Sequence, residues 1–323
     1  MKTPHIKACY IFPGQGSQFI GMGKELYSTN KDIVEKILHT GNKILGPDIA
    51  NLIIKNPEET SIKNPEETLK ETINCQEAML LMGVIYLYVL RKKIECVLTL
   101  GHSIGEYSAL VASGVLSLED AIKLVKIRAE SMTKCIPNET VKKGTSHMAA
   151  VFTKDHNLVY DICKIYSSPG NTVEVAAVNS KYQIVISGNN NAVIEAAEYL
   201  ISQNIKVIYL PVEGPFHSEL MKPAAEEMKK ALEDKDITIN ESKRHHITNS
   251  TGKLIYKTNE IKESLVNQIC GIVEWEKSLK LAINMGITTF IESGPGDVQY
   301  KLLNRDYKLQ NKGLEVLVTT DYI

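Results

Sequence analysis

No C-x-x-C pair occurs among the six cysteines of this chain, Cys9, Cys75, Cys96, Cys135, Cys163 and Cys270. Scattered single thiols make a reduced cytosol the natural compartment. Charge of one sign is equally scarce: 37 basic against 38 acidic residues leave a formal charge of −1, with no electrostatic footprint for nucleic acid or an anionic membrane. No apolar leader follows Met1-Lys2-Thr3. The most apolar stretch, residues 79–90, is 12 residues long, too short to span a bilayer and better suited to a helix buried on most sides. H-E-x-x-H, G-x-x-x-x-G-K-[ST] and a G-x-G-x-x-G after a strand are all missing, so nothing calls for a metal, a phosphate loop or a dinucleotide cofactor.

What is present is a chain of 323 residues, 43% hydrophobic, able to bury one large α/β core or two smaller ones. Apolar β-prone runs at residues 6–12, 94–100, 205–210 and 288–292 alternate with helical patterns such as 117–134 and 275–285, which predicts a parallel α/β sheet. Residues 148–210 read differently: strand, helix, two strands, helix, strand, the β-α-β-β-α-β order of a ferredoxin-like unit. The expected architecture is therefore a large α/β-hydrolase-like domain (1–143 and 211–323) with a small ferredoxin-like domain (144–210) inserted and the site in the crevice between them. The repeated KNPEET at 55–60 and 63–68 reads as a solvated loop or a helix start.

The stretch LTLGHSIGEYSAL, residues 98–110, joins the end of a buried strand to the start of a helix. Gly101 and Gly105 flank Ser103 in a G-x-S-x-G pattern, which leaves room for a sharp strained turn that presents the hydroxyl above the sheet. Helical N–H groups then face whatever anion forms there. The competing reading is a helix cap with incidental glycines. FPGQG (12–16) ends the first strand in a glycine loop where Gln15 offers an N–H donor, and GPFHS (214–218) sets His217 in a loop after the strand that closes the small unit; the competing readings are a plain strand–helix turn and a structural or merely exposed histidine.

Arg128 stands out by periodicity. After the cap signature Ser117-x-x-Asp120, Ala121, Val125, Arg128 and Met132 share one helical stripe. A guanidinium in an apolar stripe needs a carboxylate, either an internal partner, as a structural ion pair, or that of a ligand. A stem that snorkels to solvent is the third possibility.

FPGQGSQ, GHSIGEYSAL, RAESM, GPFHS and ESGPG follow one another in an order and spacing that resemble malonyl-CoA:acyl-carrier-protein transacylases, including free-standing acyltransferases that serve polyketide synthases. The resemblance spans nearly the whole chain. It implies that Ser103 is the nucleophile, His217 the base, and the main-chain carbonyl of Gln268 the group that orients the imidazole. It also implies that the N–H groups of Gln15 and Ile104 form an oxyanion hole, that Arg128 grips the free malonyl carboxylate, and that His102 and Asn179 line the pocket. Phe216 occupies the position where phenylalanine goes with malonyl and serine with the methyl-branched unit. Two positions depart from the family: Asn74-Cys75-Gln76-Glu77-Ala78 lacks the usual proline, and Ala129 replaces a glycine beside the arginine.

The implied reaction moves a malonyl group from coenzyme A to Ser103 and on to the phosphopantetheine thiol of an acyl carrier protein, in fatty acid or polyketide synthesis. It uses the coenzyme A thioester as substrate and no further cofactor. The alternative is an acyl hydrolase on the same scaffold that clears stalled acyl groups from carrier proteins; such an enzyme gains nothing from Arg128. A non-catalytic docking protein would not need both Ser103 and His217.

Overall fold

The computed structural model describes residues 6–139, 141–308 and 313–318, so the stretch around Met1 that was read for a leader lies outside the described residues. Five strands form a parallel sheet: β1 (Ile6–Phe12), β2 (Ile94–Gly101), β7 (His245–His246), β8 (Thr289–Glu292) and β9 (Glu315–Val318), in the order β7-β2-β1-β8-β9. Both faces of β1 are covered, which is why Ala8 to Phe12 are buried without alternation.

The register of the two central strands positions the site. Phe12 pairs with Gly101, and the His102 N–H donates to the Phe12 carbonyl at 2.9 Å. The loops leaving β1 and β2 thus emerge side by side, and Gly14 lies against the main chain of His102. Loops at this end of a parallel sheet are where ligand-binding groups collect.

The predicted apolar helix is longer than its hydrophobic run. It spans Thr72–Leu90, 19 residues, and among the described residues it is the one helix long and apolar enough to cross a membrane. Its length therefore does not exclude a membrane span; its surroundings decide, since 83% of its most apolar window is buried inside the fold. It packs against the helices Lys31–Leu45, Gly105–Ser113 and Leu118–Lys134. The repeated KNPEET opens two short helical segments, with Pro57 and Pro65 at their first positions.

The second sheet is antiparallel, with β3 (Met148–Phe152), β4 (Val173–Ser180), β5 (Gln183–Gly188) and β6 (Lys206–Tyr209) in the order β4-β5-β3-β6, as the β-α-β-β-α-β reading expects. Alternate residues serve two cores. Ala149, Val151, Ile184 and Ile186 pack with Val159, Ile162, Val193 and Leu200 of the helices His156–Ile165 and Asn190–Ser202. Met148, Ala150, Ala177 and Val185 face the main core instead. Strand β4 also meets the large unit directly: the Val178 N–H donates to the Val273 carbonyl at 3.0 Å and the Val273 N–H to Ala176 at 2.9 Å. One of the two register shifts of this strand falls at Asn179, between Val178 and Ser180, and such bulges re-aim side chains.

Candidate active site

Ser103 stands at the junction of β2 and the helix Gly105–Ser113, with a backbone φ of 51°. A non-glycine residue in the left-handed region is strained, and that strain persists only where the surroundings over-determine it. They do so here. A side chain at Gly101 would collide with the main chain of Gly105, and one at Gly105 with the carbonyl of Phe12. The Ser103 N–H donates to Asn249 Oδ1 at 2.7 Å, and the Ser103 carbonyl accepts from Gln268 Nε2 at 3.0 Å.

His217 is the other strained residue of the site, with φ 61°. Its loop is held by the Ser218 hydroxyl bonding to the Pro215 carbonyl and by the Glu219 N–H bonding to Glu174, both at 2.6 Å. Nδ1 lies 2.8 Å from the main-chain oxygen of Gln268. A carbonyl only accepts, so Nδ1 carries the proton, and Nε2 faces Ser103 Oγ at 2.7 Å with its lone pair. Burial and the nearby Arg128 charge pull the imidazole down from 6.5 to about 3. The ring is therefore neutral and ready to take the Ser103 proton.

Arg128 descends from the helix Leu118–Lys134, whose N-cap Ser117 accepts from the Asp120 N–H as the sequence pattern implied. The guanidinium is 1% exposed. Nη1 donates to Gln76 Oε1 at 2.5 Å, and Nη2 to Gln268 Oε1 and to Ser103 Oγ, each at 3.1 Å. Nε has no partner, and among the described residues no carboxylate lies within ion-pair distance. The structure thus removes both the internal ion pair and the snorkelling stem as accounts of Arg128. Ala129 is fully buried beside it without displacing it from these partners.

The remaining expected residues converge to different degrees. His102 Nε2 bonds Asn179 Oδ1 at 2.8 Å across the two sheets, and its ring meets Trp275 edge-on at 5.3 Å. Burial holds the His102 imidazole below its ordinary value. Gln15 and Ile104 lie in the two loops that meet at Ser103, and no hydrogen bond among the described residues occupies either N–H. Phe216 is buried in the main core with its ring over Gly214.

Gln76, Glu106, Asn249 and the Gln268 side chain are site residues that sequence reasoning passed over. Gln76 and Glu106 each carried a signal, as a polar residue in an apolar helix turn; Asn249, in an irregular segment, carried none. Glu77, in place of the missing proline, is nearly buried, and desolvation pushes its carboxyl up to about 7.

A polarised hydroxyl, a neutral imidazole, two open N–H groups and an unpaired buried cation form an arrangement able to make and break an ester on a substrate that carries a carboxylate. The comparisons with known proteins agree. The acyl transferase domain family matches residues 9–318. The chain is 38% identical over 317 residues to the malonyl CoA-acyl carrier protein transacylase of Bacillus subtilis, covering 98% of this chain and 94% of that one. Among solved structures it is similar to the malonyl CoA-acyl carrier protein transacylase of Coxiella burnetii, with TM-score 0.86, 30% identity and coverage of 98% and 94%. It is likewise similar to a malonyl-transacylase in complex with its type II polyketide synthase acyl-carrier protein, with TM-score 0.84, 30% identity and coverage of 97% and 94%. With a family match over almost its full length and the nucleophile elbow that its sequence requires, the chain belongs to the malonyl-CoA:acyl-carrier-protein transacylase family of acyltransferases.

Proposed function

We propose that this chain transfers a malonyl group from coenzyme A, through an ester on Ser103, to the phosphopantetheine thiol of an acyl carrier protein. His217 Nε2 takes the Ser103 proton as Oγ attacks the thioester carbon. The resulting oxyanion is held by the N–H groups of Gln15 and Ile104. Collapse breaks the C–S bond, and the proton on Nε2 goes to the departing thiolate. In the second half His217 deprotonates the carrier-protein thiol, the thiolate attacks the ester, and the proton returns to Ser103. Thioester to ester to thioester is nearly balanced in energy, so the exchange needs no nucleotide and no cofactor beyond the substrate itself.

The observation that carries this reading is the buried Arg128 guanidinium bonded only to neutral groups. It is a receptor waiting for an anion, and a malonyl carboxylate supplies one. A hydrolase acting on simple acyl groups leaves that cation unused. His102 and Asn179, joined across the two sheets, line the pocket, and Phe216 bounds it on the histidine side. The separate core of the antiparallel sheet supports a division into 1–143 with 211–323 and an inserted 144–210. Free thiols at all six cysteines suit work in the cytoplasm.

Intact-mass analysis after incubation with malonyl-CoA tests the proposal. One malonyl adduct is expected on the wild type and none on Ser103→Ala, and a phosphopantetheinylated carrier protein should discharge the adduct. An adduct that persists in the variant removes Ser103 from its role; release to water as fast as to carrier protein supports the hydrolase.

A further inference from the structure

Beneath the serine elbow lies a buried carboxyl group that the transfer chemistry does not use. Glu106, 1% exposed, sits in the first turn of the helix that follows Ser103. Oε1 accepts from the Asn249 N–H at 3.1 Å and faces His246 Nε2 at 3.3 Å; Oε2 accepts from Gln268 Nε2 at 2.5 Å. His246 is fully buried, and its Nδ1 meets the Thr99 hydroxyl at 3.1 Å. The tautomer with its proton on Nε2 satisfies both contacts, donating to Glu106 and accepting from Thr99.

Gln268 is the hub through which this carboxylate reaches the site. Its Nε2 bonds both Glu106 and the Ser103 carbonyl, its Oε1 accepts from Arg128, and its main-chain oxygen accepts from His217. An amide has one donor end and one acceptor end. Two partners that accept without donating, the Glu106 carboxylate and the Ser103 carbonyl, hold the Nε2 end and so turn the oxygen toward Arg128.

We infer that Glu106, braced by His246, is a positioning residue for the malonyl receptor: it fixes the Gln268 amide with its oxygen toward Arg128 and thereby sets the guanidinium to receive the substrate carboxylate. The inference rests on the malonyl reading of Arg128 and adds the group that aims it. In Glu106→Gln the new amide keeps its oxygen on the Asn249 and His246 donors and turns its NH2 toward Gln268. Two donors then face each other, only the Ser103 carbonyl still holds the Nε2 end, and the Gln268 oxygen is no longer locked onto Arg128. Gln268→Leu removes the relay while keeping the main-chain carbonyl that holds His217.

The test measures kcat/KM for Ser103 acylation with malonyl-CoA and with acetyl-CoA in wild type, Glu106→Gln, Gln268→Leu and the double variant. The malonyl-to-acetyl ratio is expected to fall at least 10-fold in each single variant. The double variant is expected to lie within about 2-fold of the lower single one, because both changes break one relay. A purely structural role lowers both substrates together and leaves the ratio unmoved, which overturns the inference; losses that multiply in the double variant overturn it as well. Should Glu106→Gln fail to fold, the ratio in Gln268→Leu decides by the same criterion. Failure of the wild type to prefer malonyl-CoA refutes the reading of Arg128 itself, a result distinct from either of these.

Discussion

Truncating Arg128 to alanine should turn a malonyl-selective enzyme into one that no longer distinguishes malonyl-CoA from acetyl-CoA. In the folded protein the guanidinium is 1% exposed and, among the described residues, meets only neutral partners: Gln76, Gln268, Ser103 and the Tyr107 ring, 5.8 Å away. A malonyl carboxylate entering the variant would lose its water and find no cation. Breaking a buried charge pair from one side costs about 3–5 kcal/mol. At about 1.4 kcal/mol per decade, kcat/KM for malonyl-CoA falls by roughly 10² to several 10³-fold. Acetyl-CoA carries no carboxylate and escapes that penalty. It loses the 3.1 Å contact from Arg128 to the Ser103 hydroxyl, but its base gains proton affinity, because the Arg128 charge is one of the causes that depress His217. A hydrogen bond to a charged group is worth about 1.5–3 kcal/mol, or about 10- to 150-fold, and the stronger base offsets part of that, so the acetyl rate should fall by less than the malonyl rate. Rapid-quench sampling with intact-mass detection of the acyl-enzyme follows both substrates in one format. Equal losses for the two thioesters, or a preserved malonyl preference, would refute the receptor argument and return Arg128 to a structural role.

His217→Ala should slow acylation and discharge alike by about 100-fold or more, since one imidazole serves both half-reactions; a defect confined to one half assigns the other base elsewhere. With the imidazole held near 3, acylation by the wild type should stay flat from pH 8 down to pH 5, and an acid limb with an apparent pKa near 6.5 would contradict the geometry. The same depression has a stability consequence. A histidine whose folded value lies below its unfolded value near 6.5 contributes stability above that pH and loses it as the pH falls toward 3, because the unfolded chain takes up the proton first. Urea titrations at pH 6.5 and pH 5 should show the wild type losing about 2 kcal/mol more than His217→Ala. Phe216→Ser should raise methylmalonyl-CoA turnover relative to malonyl-CoA by about 10-fold or more, since a methyl in a pocket is worth about 1–3 kcal/mol. An unchanged ratio discards Phe216 as a selector.

Local pattern carried much of this protein into view. The strands and helices were readable because burial imposes a period on apolar residues, and the cap Ser117 and the stripe holding Arg128 formed as that period implied. Ser103 was readable because a strained turn needs small neighbours, and Gly101 and Gly105 stand where any larger residue would collide. The ferredoxin-like strand order followed from the sequence of elements alone.

What chain order could not express is which polar groups meet across it. Gln268 lies 165 residues from Ser103 and 140 from Arg128, and Glu106 lies 140 from His246, so no spacing rule links them. Their contacts arise because the β1–β2 register brings two loops to one point and packing then presses the helix Thr258–Cys270 against it. The chemistry of single residues is written locally, in propensity and steric room. The neutral base and the unpaired cation depend on desolvation, and the carboxyl group beneath them on who faces whom, quantities that exist only once the chain has closed on itself.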